Sequence, residues 1–328
     1  MPSVLIIHPR LRGGGPHMEI LGSAGFEIRL PPPGADMMRA DVLAANLGDA
    51  ESVIAATEPF TRDVIMGATR LRVIARSGVG YDAIDVAAAD ERGIAVTTTP
   101  GTNEHSVAEH ALAMLLALSR GFPRRDLQVR RGEFWKKAPL PRLAGRTLGI
   151  VGLGRIGKAL TTRVAGLGLK VLAYEPYADR AFVAEHAVEL VSFDDLLRRS
   201  DFVSLHLPLT AETDGLINRR TLALMKPGAV LVNTARGGLV VEQDLCAALT
   251  DGRLAAAGLD VFVDEPPPAG HPLLQLDNVL LSPHIAGLDD DSHYDSQVMV
   301  ARVLVDLAQG RWPAECVVNL RGASGWRW

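Results

Sequence analysis

The chain has 328 residues, 48% of them apolar and 22% charged, with a net charge of −4. At ~100–200 residues per domain this length predicts two domains, each with apolar residues enough for a core, and the composition excludes long disorder. The charge offers no basic field to nucleic acid or anionic lipid, and no run reaches the ~18 apolar residues that span a bilayer.

The opening residues, Met1 to His8 (MPSVLIIH), lack a basic stretch followed by a long apolar one, so the expected location is the cytoplasm. Cys246 and Cys316 stand alone and read as buried thiols, not as a disulfide framework or a metal site. Short β-branched runs at 4–7, 27–30, 52–55, 73–75 and 94–97 predict buried strands, and stretches such as 36–46 and 59–67 between them carry helical spacing. Alternation of this kind makes a parallel sheet with helices on both faces.

The rhythm then breaks. Residues 102–121 (TNEHSVAEHALAMLLALSRG) predict one long helix, opened by Thr102 as its cap, closed by Gly121, and apolar enough to pack between domains or subunits. Residues 122–143, with Phe134, Trp135, Pro139 and Pro141, predict an irregular arm that wraps on a neighbour. Helix and arm together predict a homodimer. A second alternating set follows at 147–151, 170–174, 202–205, 229–233, 255–259 and 279–281. A last helix over 292–309, after the acidic turn Asp289-Asp290-Asp291, is expected back on the first domain. Crossings near Pro100-Gly101 and Gly287-Leu288 then define a first domain of 1–100 plus 288–328 and a second of 101–287, and predict hinge closure over ligands. There is no internal repeat of 20–50 residues and no low-complexity segment.

Gly152-Leu-Gly154-Arg155-Ile156-Gly157 is a G-x-G-x-x-G run between a strand and a helix pattern. A second strand ends at Glu175, 175 − 157 = 18 residues on, near the ~20 expected of a dinucleotide site. Gly152 permits the tight turn, Gly154 lets backbone approach a pyrophosphate, and Gly157 lets helix and strand pack closely. The helix N-terminus favours phosphate, and Arg155 adds a possible contact. Glu175 suits the ribose hydroxyls and repels a 2′-phosphate, and the next basic residue is only Arg180, which favours NAD over NADP.

From about Arg76 to Asn319 the chain resembles the D-isomer-specific 2-hydroxyacid dehydrogenases. The motifs are Arg76-Ser-Gly-Val-Gly-Tyr-Asp82, Pro100-Gly-Thr-Asn103, Val107-Ala-Glu109, Leu143-Ala-Gly-Arg-Thr-Leu-Gly-Ile150, Asn233-Thr-Ala-Arg-Gly237, Gly258-Leu-Asp-Val-Phe262, Glu265-Pro266 and Ser282-Pro-His-Ile-Ala-Gly287. The resemblance implies an α/β fold of two doubly wound parallel-sheet domains, a Rossmann-type nucleotide domain inserted into a flavodoxin-like substrate domain. It implies NAD-dependent interconversion of a small 2-hydroxy acid and its 2-keto acid, with Arg236, Glu265 and His284 as the catalytic trio. The chemistry agrees: an arginine holds the carboxylate and polarises the carbonyl, and a histidine is the proton donor suited to neutral pH. A carboxylate beside it stabilises the imidazolium.

By the same resemblance, Val79 and Gly80 cradle the substrate carboxylate through backbone N–H groups, alongside Arg236 and His284. Thr234, Ala235, Asp260 and Gly287 line the nicotinamide side, and His206, Leu207, Pro208 and Thr213 the adenosine side. Glu175 stands where aspartate is commoner, and Leu288-Asp-Asp-Asp291 replaces a turn of small residues. Arg10 and Arg12, before Gly13-Gly14-Gly15, read either as a solvated basic loop or as a reader of a second anionic group. No metal is expected, since His105 and His110 stand five apart on one helix and the other histidines are scattered. Two further readings are an NAD(H)-sensing corepressor-like binding protein and a dehydrogenase with phosphite as hydride donor.

Overall fold

In the computed structural model, which describes residues 1–135, 139–320 and 325–328, the chain forms two compact units, 1–103 with 289–328, and 104–288. In the first unit β1 (Ser3–Ile6), β2 (Glu27–Arg29), β3 (Ser52–Ala55), β4 (Val73–Arg76) and β5 (Ala95–Thr97) pair in parallel in the order β2-β1-β3-β4-β5. The central runs SVLI and SVIA are buried at every position, as strands covered on both faces must be. The helices between them are α1 (Pro16–Ser23), α2 (Ala40–Leu47), α3 (Arg62–Gly67) and α4 (Val86–Arg92). Asp85 caps α4 by accepting from Ala88 N–H, and Gly93 closes it at φ 63°, a backbone that suits glycine.

The second unit opens with α5 (Glu104–Ser119) and α6 (Phe122–Arg130). Its sheet comprises β6 (Thr147–Val151), β7 (Lys170–Tyr174), β8 (Glu189–Leu190), β9 (Phe202–Leu205), β10 (Ala229–Asn233), β11 (Leu254–Leu259) and β12 (Val279–Leu281). All pairs are parallel, in the order β12-β11-β10-β9-β6-β7-β8. Helices α7 (Arg155–Val164), α8 (Arg180–Glu185), α9 (Phe193–Arg199), α10 (Arg219–Leu224) and α11 (Glu242–Thr250) connect the strands. The last helix is α12 (Asp290–Ala308), capped by Asp289 on Ser292 N–H and packed with α1 on the first sheet through Val300, Val303, Leu304 and Leu307. Both sheets are doubly wound, and the orders are of flavodoxin type in the first unit and Rossmann type in the second.

Three expectations need correction. Thr102 does not cap α5: its hydroxyl donates to Thr99 O, and the helix begins at Glu104. The apolar side of α5 lies on its own unit's sheet, where Ala108, Ala111, Met114 and Leu115 pack with Leu148, Ile150 and Val232. Gly258 permits this, because a Cβ there would meet Met114 Sδ at 3.1 Å. The arm over 122–143 is not irregular from its start, because α6 occupies 122–130; residues 136–138 lie outside the described ones. No residue of α6 is buried, so it has no apolar stripe for periodicity to detect; a proline in its first turn and the Asp126–Arg130 pair support it. Among the described residues no helix is long and apolar enough to cross a membrane.

Candidate active site

The glycine-rich run forms the turn from β6 into α7. Gly152 has φ 97° and donates to Tyr174 O, and a Cβ there would meet His206 O at 2.7 Å. A Cβ on Gly157 would strike the Gly152 carbonyl, so helix and strand touch only because both residues are glycine. Gly154 faces open space at the start of α7, and no side chain caps that helix. Arg155 is exposed in the first turn and Ile156 half-buried behind it. Glu175, at the end of β7, accepts Leu153 N–H at 3.1 Å on one oxygen and Tyr177 N–H at 3.0 Å on the other. Each carboxylate oxygen keeps a lone pair for a further donor.

Among the described residues five buried polar atoms of this unit lack a protein partner, and two of them, Thr234 Oγ1 and His206 Nδ1, follow the ends of neighbouring strands β10 and β9. His206 Nε2 meets Ser204 Oγ at 2.8 Å, and burial pushes the ring down to about 4, so it is neutral. Leu207 and Pro208 continue from it. Thr213 closes the same loop on itself, donating to Pro208 O at 2.7 Å and accepting from Thr210 N–H at 2.8 Å. The open glycine turn, the uncapped helix, the oriented Glu175 and the two orphaned atoms fit a dinucleotide.

The trio comes from loops that follow β10, β11 and β12. Asn233, ending β10, accepts Ala235 N–H at 3.0 Å and donates to Arg236 O at 2.8 Å, which folds the turn carrying Arg236. Gly237 lies hard against the Phe262 backbone, so a side chain there would push this turn off the next loop. Glu265 accepts Phe262 N–H at 3.0 Å on Oε1, and its Oε2 lies 2.6 Å from His284 Nδ1. Burial works against the charge on Glu265, but the His284 ring, the Phe262 N–H and Arg236 outweigh it and hold the carboxyl below the ordinary carboxylate range. An ionised Glu265 only accepts, so Nδ1 carries a proton and Nε2 is the ring atom left for chemistry.

His284 sits at φ 52°, a left-handed backbone that is rare for histidine. Asp260 holds it there. Fully buried, Asp260 accepts Ser282 Oγ–H at 2.5 Å, Ile285 N–H at 3.0 Å and Ala286 N–H at 2.8 Å, while its backbone carbonyl takes His284 N–H at 2.8 Å. His110 of α5 extends the network, with Nε2 2.9 Å from Ser282 Oγ. Both Asp260 carboxylate oxygens are thus engaged by protein, and Gly287 follows the braced turn half-buried. Asn233 and Ser282, which the motifs contain without a role, and His110, which lies outside them, are positioning residues. The one signal for them is a polar side chain at the end of a buried strand or on the apolar side of a helix.

Val79 and Gly80 lie in the first unit, on the turn after β4. Gly78 N–H donates to Thr99 Oγ1 at 2.8 Å and Thr99 N–H to Gly78 O at 3.0 Å, which fixes the turn. The N–H groups of Val79 and Gly80 donate to no protein acceptor among the described residues. Among the described residues, no three His, Cys, Asp or Glu side chains gather as a metal site requires.

Residues 112–286 match the family model for the NAD binding domain of D-isomer specific 2-hydroxyacid dehydrogenases. The chain is 46% identical over 248 residues to the D-3-phosphoglycerate dehydrogenase of Mycobacterium tuberculosis, a match covering 75% of this chain and 47% of that protein. It thus spans about half the length of the curated relatives of that name. It is 42% identical over 283 residues to the glyoxylate reductase of Korarchaeum cryptofilum, covering 84% of this chain and 85% of that one. Among solved structures it superposes on D-lactate dehydrogenase from Aquifex aeolicus, complexed with NAD and lactic acid, with a TM-score of 0.85 and 29% identity over 96% of this chain and 98% of that one.

Proposed function

The chain belongs to the D-isomer specific 2-hydroxyacid dehydrogenase family, and on that premise we propose that it interconverts a small D-2-hydroxy acid and its 2-keto acid with NAD. The observation that carries the reading is the contact of 2.6 Å between His284 Nδ1 and a Glu265 carboxylate held ionised. It orients the imidazole so that Nε2 is the working atom. Bound NAD supplies the hydride acceptor, and NADH the donor.

In reduction His284 gives the Nε2 proton to the carbonyl oxygen as C2 gains the hydride; in oxidation it takes the hydroxyl proton back. Arg236 holds the carboxylate and polarises the carbonyl. The Val79 and Gly80 N–H groups of the first unit, with no protein acceptor among the described residues, suit a carboxylate. Asp260 acts through the backbone, keeping His284 in its strained turn. The glycine run from Gly152 to Gly157, Glu175, His206, Thr234 and Ala235 hold the cofactor, with Glu175 on a ribose hydroxyl.

The test is NADH oxidation against glyoxylate, hydroxypyruvate, pyruvate, 2-ketobutyrate and phosphohydroxypyruvate. His284→Ala is expected to lower kcat by ~10²–10⁴-fold, the typical share of general acid–base catalysis. NADH affinity, followed by fluorescence, stays near wild type. A wild-type chain inert toward the whole panel sinks the proposal. We also infer a cytoplasmic homodimer, supported by the exposed apolar side chains Phe122, Leu127, Val129, Phe134 and Trp135. Sedimentation as a monomer at micromolar concentration counts against the dimer.

A further inference from the structure

The first unit gathers cations at one edge of its sheet. β1, β3 and β4 are neighbours, and they run at their C-terminal ends into the loops carrying Arg10 and Arg12, Glu58, and Arg76. Ile7 and His8 both donate N–H to Ile54 O, and Ser77 N–H donates to Ala55 O, so the three loops leave the sheet side by side. In sheets of this strand order the connections diverge between β1 and β3, and the crevice there is where ligands bind.

The loop after β1 is held in shape. The Arg12 guanidinium donates to Ile7 O at 3.1 and 2.6 Å, and His8 Nδ1 accepts Arg10 N–H at 3.2 Å. Fully buried His17 donates from Nε2 to Leu11 O at 2.9 Å, and its Nδ1 meets Gln297 of α12 at 2.8 Å. Gly15, at φ 137°, leaves the room Gln297 needs. A loop so tied presents its side chains in one arrangement, which a binding site requires and a solvated basic loop does not.

One buried carboxyl and one histidine ring stand among these arginines. Glu58 is buried, and burial raises its carboxyl toward the neutral form against the pull of Arg76 and Arg12. Its Oε2 accepts Ala56 N–H at 2.5 Å. Burial, then Arg76, Arg10 and His293, push His8 down to about 3, so its ring is a neutral hydrogen-bonding group among cations. The Arg76 guanidinium folds over Gly78, beside the turn that bears the open Val79 and Gly80 N–H groups. The Arg10 guanidinium is exposed, with no protein partner among the described residues.

We propose that this edge is a second anion subsite. With the 2-keto carboxylate on the Val79 and Gly80 N–H groups, Arg10 and Arg12 take a further negative group on the same substrate, a phosphate monoester or a second carboxylate. The inference rests on the functional reading above for the first carboxylate. The preferred substrate is thus a doubly anionic 2-keto acid, and the unsubstituted acids are its poorer competitors.

The experiment compares wild type, Arg10→Glu and Arg12→Lys as full chains. Each is assayed with a phosphorylated 2-keto acid, a dicarboxylic 2-keto acid, and glyoxylate, which has neither group. The ratio of kcat/KM for the preferred anionic substrate to that for glyoxylate is expected to fall at least ~10-fold in Arg10→Glu, through KM. The anionic substrate that loses its advantage identifies the phosphate or the carboxylate. An unchanged ratio in both variants overturns the inference. Calorimetric titration of inorganic phosphate gives a readout independent of turnover. Phosphate binding that depends on Arg10, in a chain inert toward every 2-keto acid, sinks the functional reading and keeps the subsite. Equal phosphate binding in all three proteins, with equal substrate ratios, removes the subsite.

Discussion

Each unit presents charged and polar groups where its parallel strands end, and the two handle them in opposite ways. In the second unit three carboxylates at the strand ends have dedicated partners. His284 has Glu265; Asp260 has Ser282 and two backbone N–H groups; Glu175 has the N–H groups of Leu153 and Tyr177. In the first unit Arg76 and Arg12 act on one buried carboxyl that leans toward neutrality, and Arg10 has no side-chain partner among the described residues. Paired charges set direction and proton position, which chemistry needs. An exposed arginine such as Arg10 offers attraction, which capture of an anion needs. The glycines differ in the same sense. Gly152 and Gly157 are demanded by backbone that a Cβ would strike, whereas Gly13 and Gly14 face open space.

The glycine contrast carries the largest expected effect. Gly157→Ala drives a methyl group into the Gly152 carbonyl and is expected to cost about 3 kcal/mol in denaturant unfolding, the upper range for overpacking, and to abolish NADH binding. Gly13→Ala, at a position with ordinary φ, is expected to change stability by less than about 0.5 kcal/mol. Similar losses in the two variants break the contrast.

The two depressed histidines sharpen it. His206 is lowered by burial alone, His8 by burial and then by Arg76, Arg10 and His293. Both folded values lie below the ordinary 6.5, so below pH 6.5 the unfolded chain takes up protons that the folded chain refuses. Their contribution to stability is therefore intact above pH 6.5 and lost as pH falls toward about 4 for His206 and about 3 for His8. Replacing His206 by Gln is expected to flatten the acid side of the stability curve by about 2 kcal/mol between pH 6.5 and roughly pH 5, at ~1.4 kcal/mol per unit. The smallest effect is the response to salt. Screening weakens the arginine repulsion at His8 and raises its titration point, while His206 stays in place. Equal shifts for the two rings in an NMR titration at low and high salt erase the distinction.

Much of the scaffold was legible from residue order. The strands at 147–151, 170–174, 202–205, 229–233 and 279–281 begin and end where their apolar runs predict, because strands at the centre of a covered sheet are mostly apolar. The glycine run was legible because its spacing follows from local geometry, one strand, one turn and one helix. α6 was not, because an exposed helix leaves no apolar period, and Thr102 was misread because its hydroxyl turns back to Thr99.

By itself the sequence determined the α/β class, the parallel sheets covered on both faces and the position of the glycine-rich turn, all properties of patterns along the chain. Only the tertiary structure decided that His284 meets Glu265 through Nδ1, and that a buried Asp260 braces a left-handed turn with help from His110, 150 positions away. It alone brought Arg12 and Arg76 to Glu58, and Arg76 and Arg10 to His8, at adjoining strand ends. Those facts depend on which strands lie side by side, and strand order is set by how the chain winds through space.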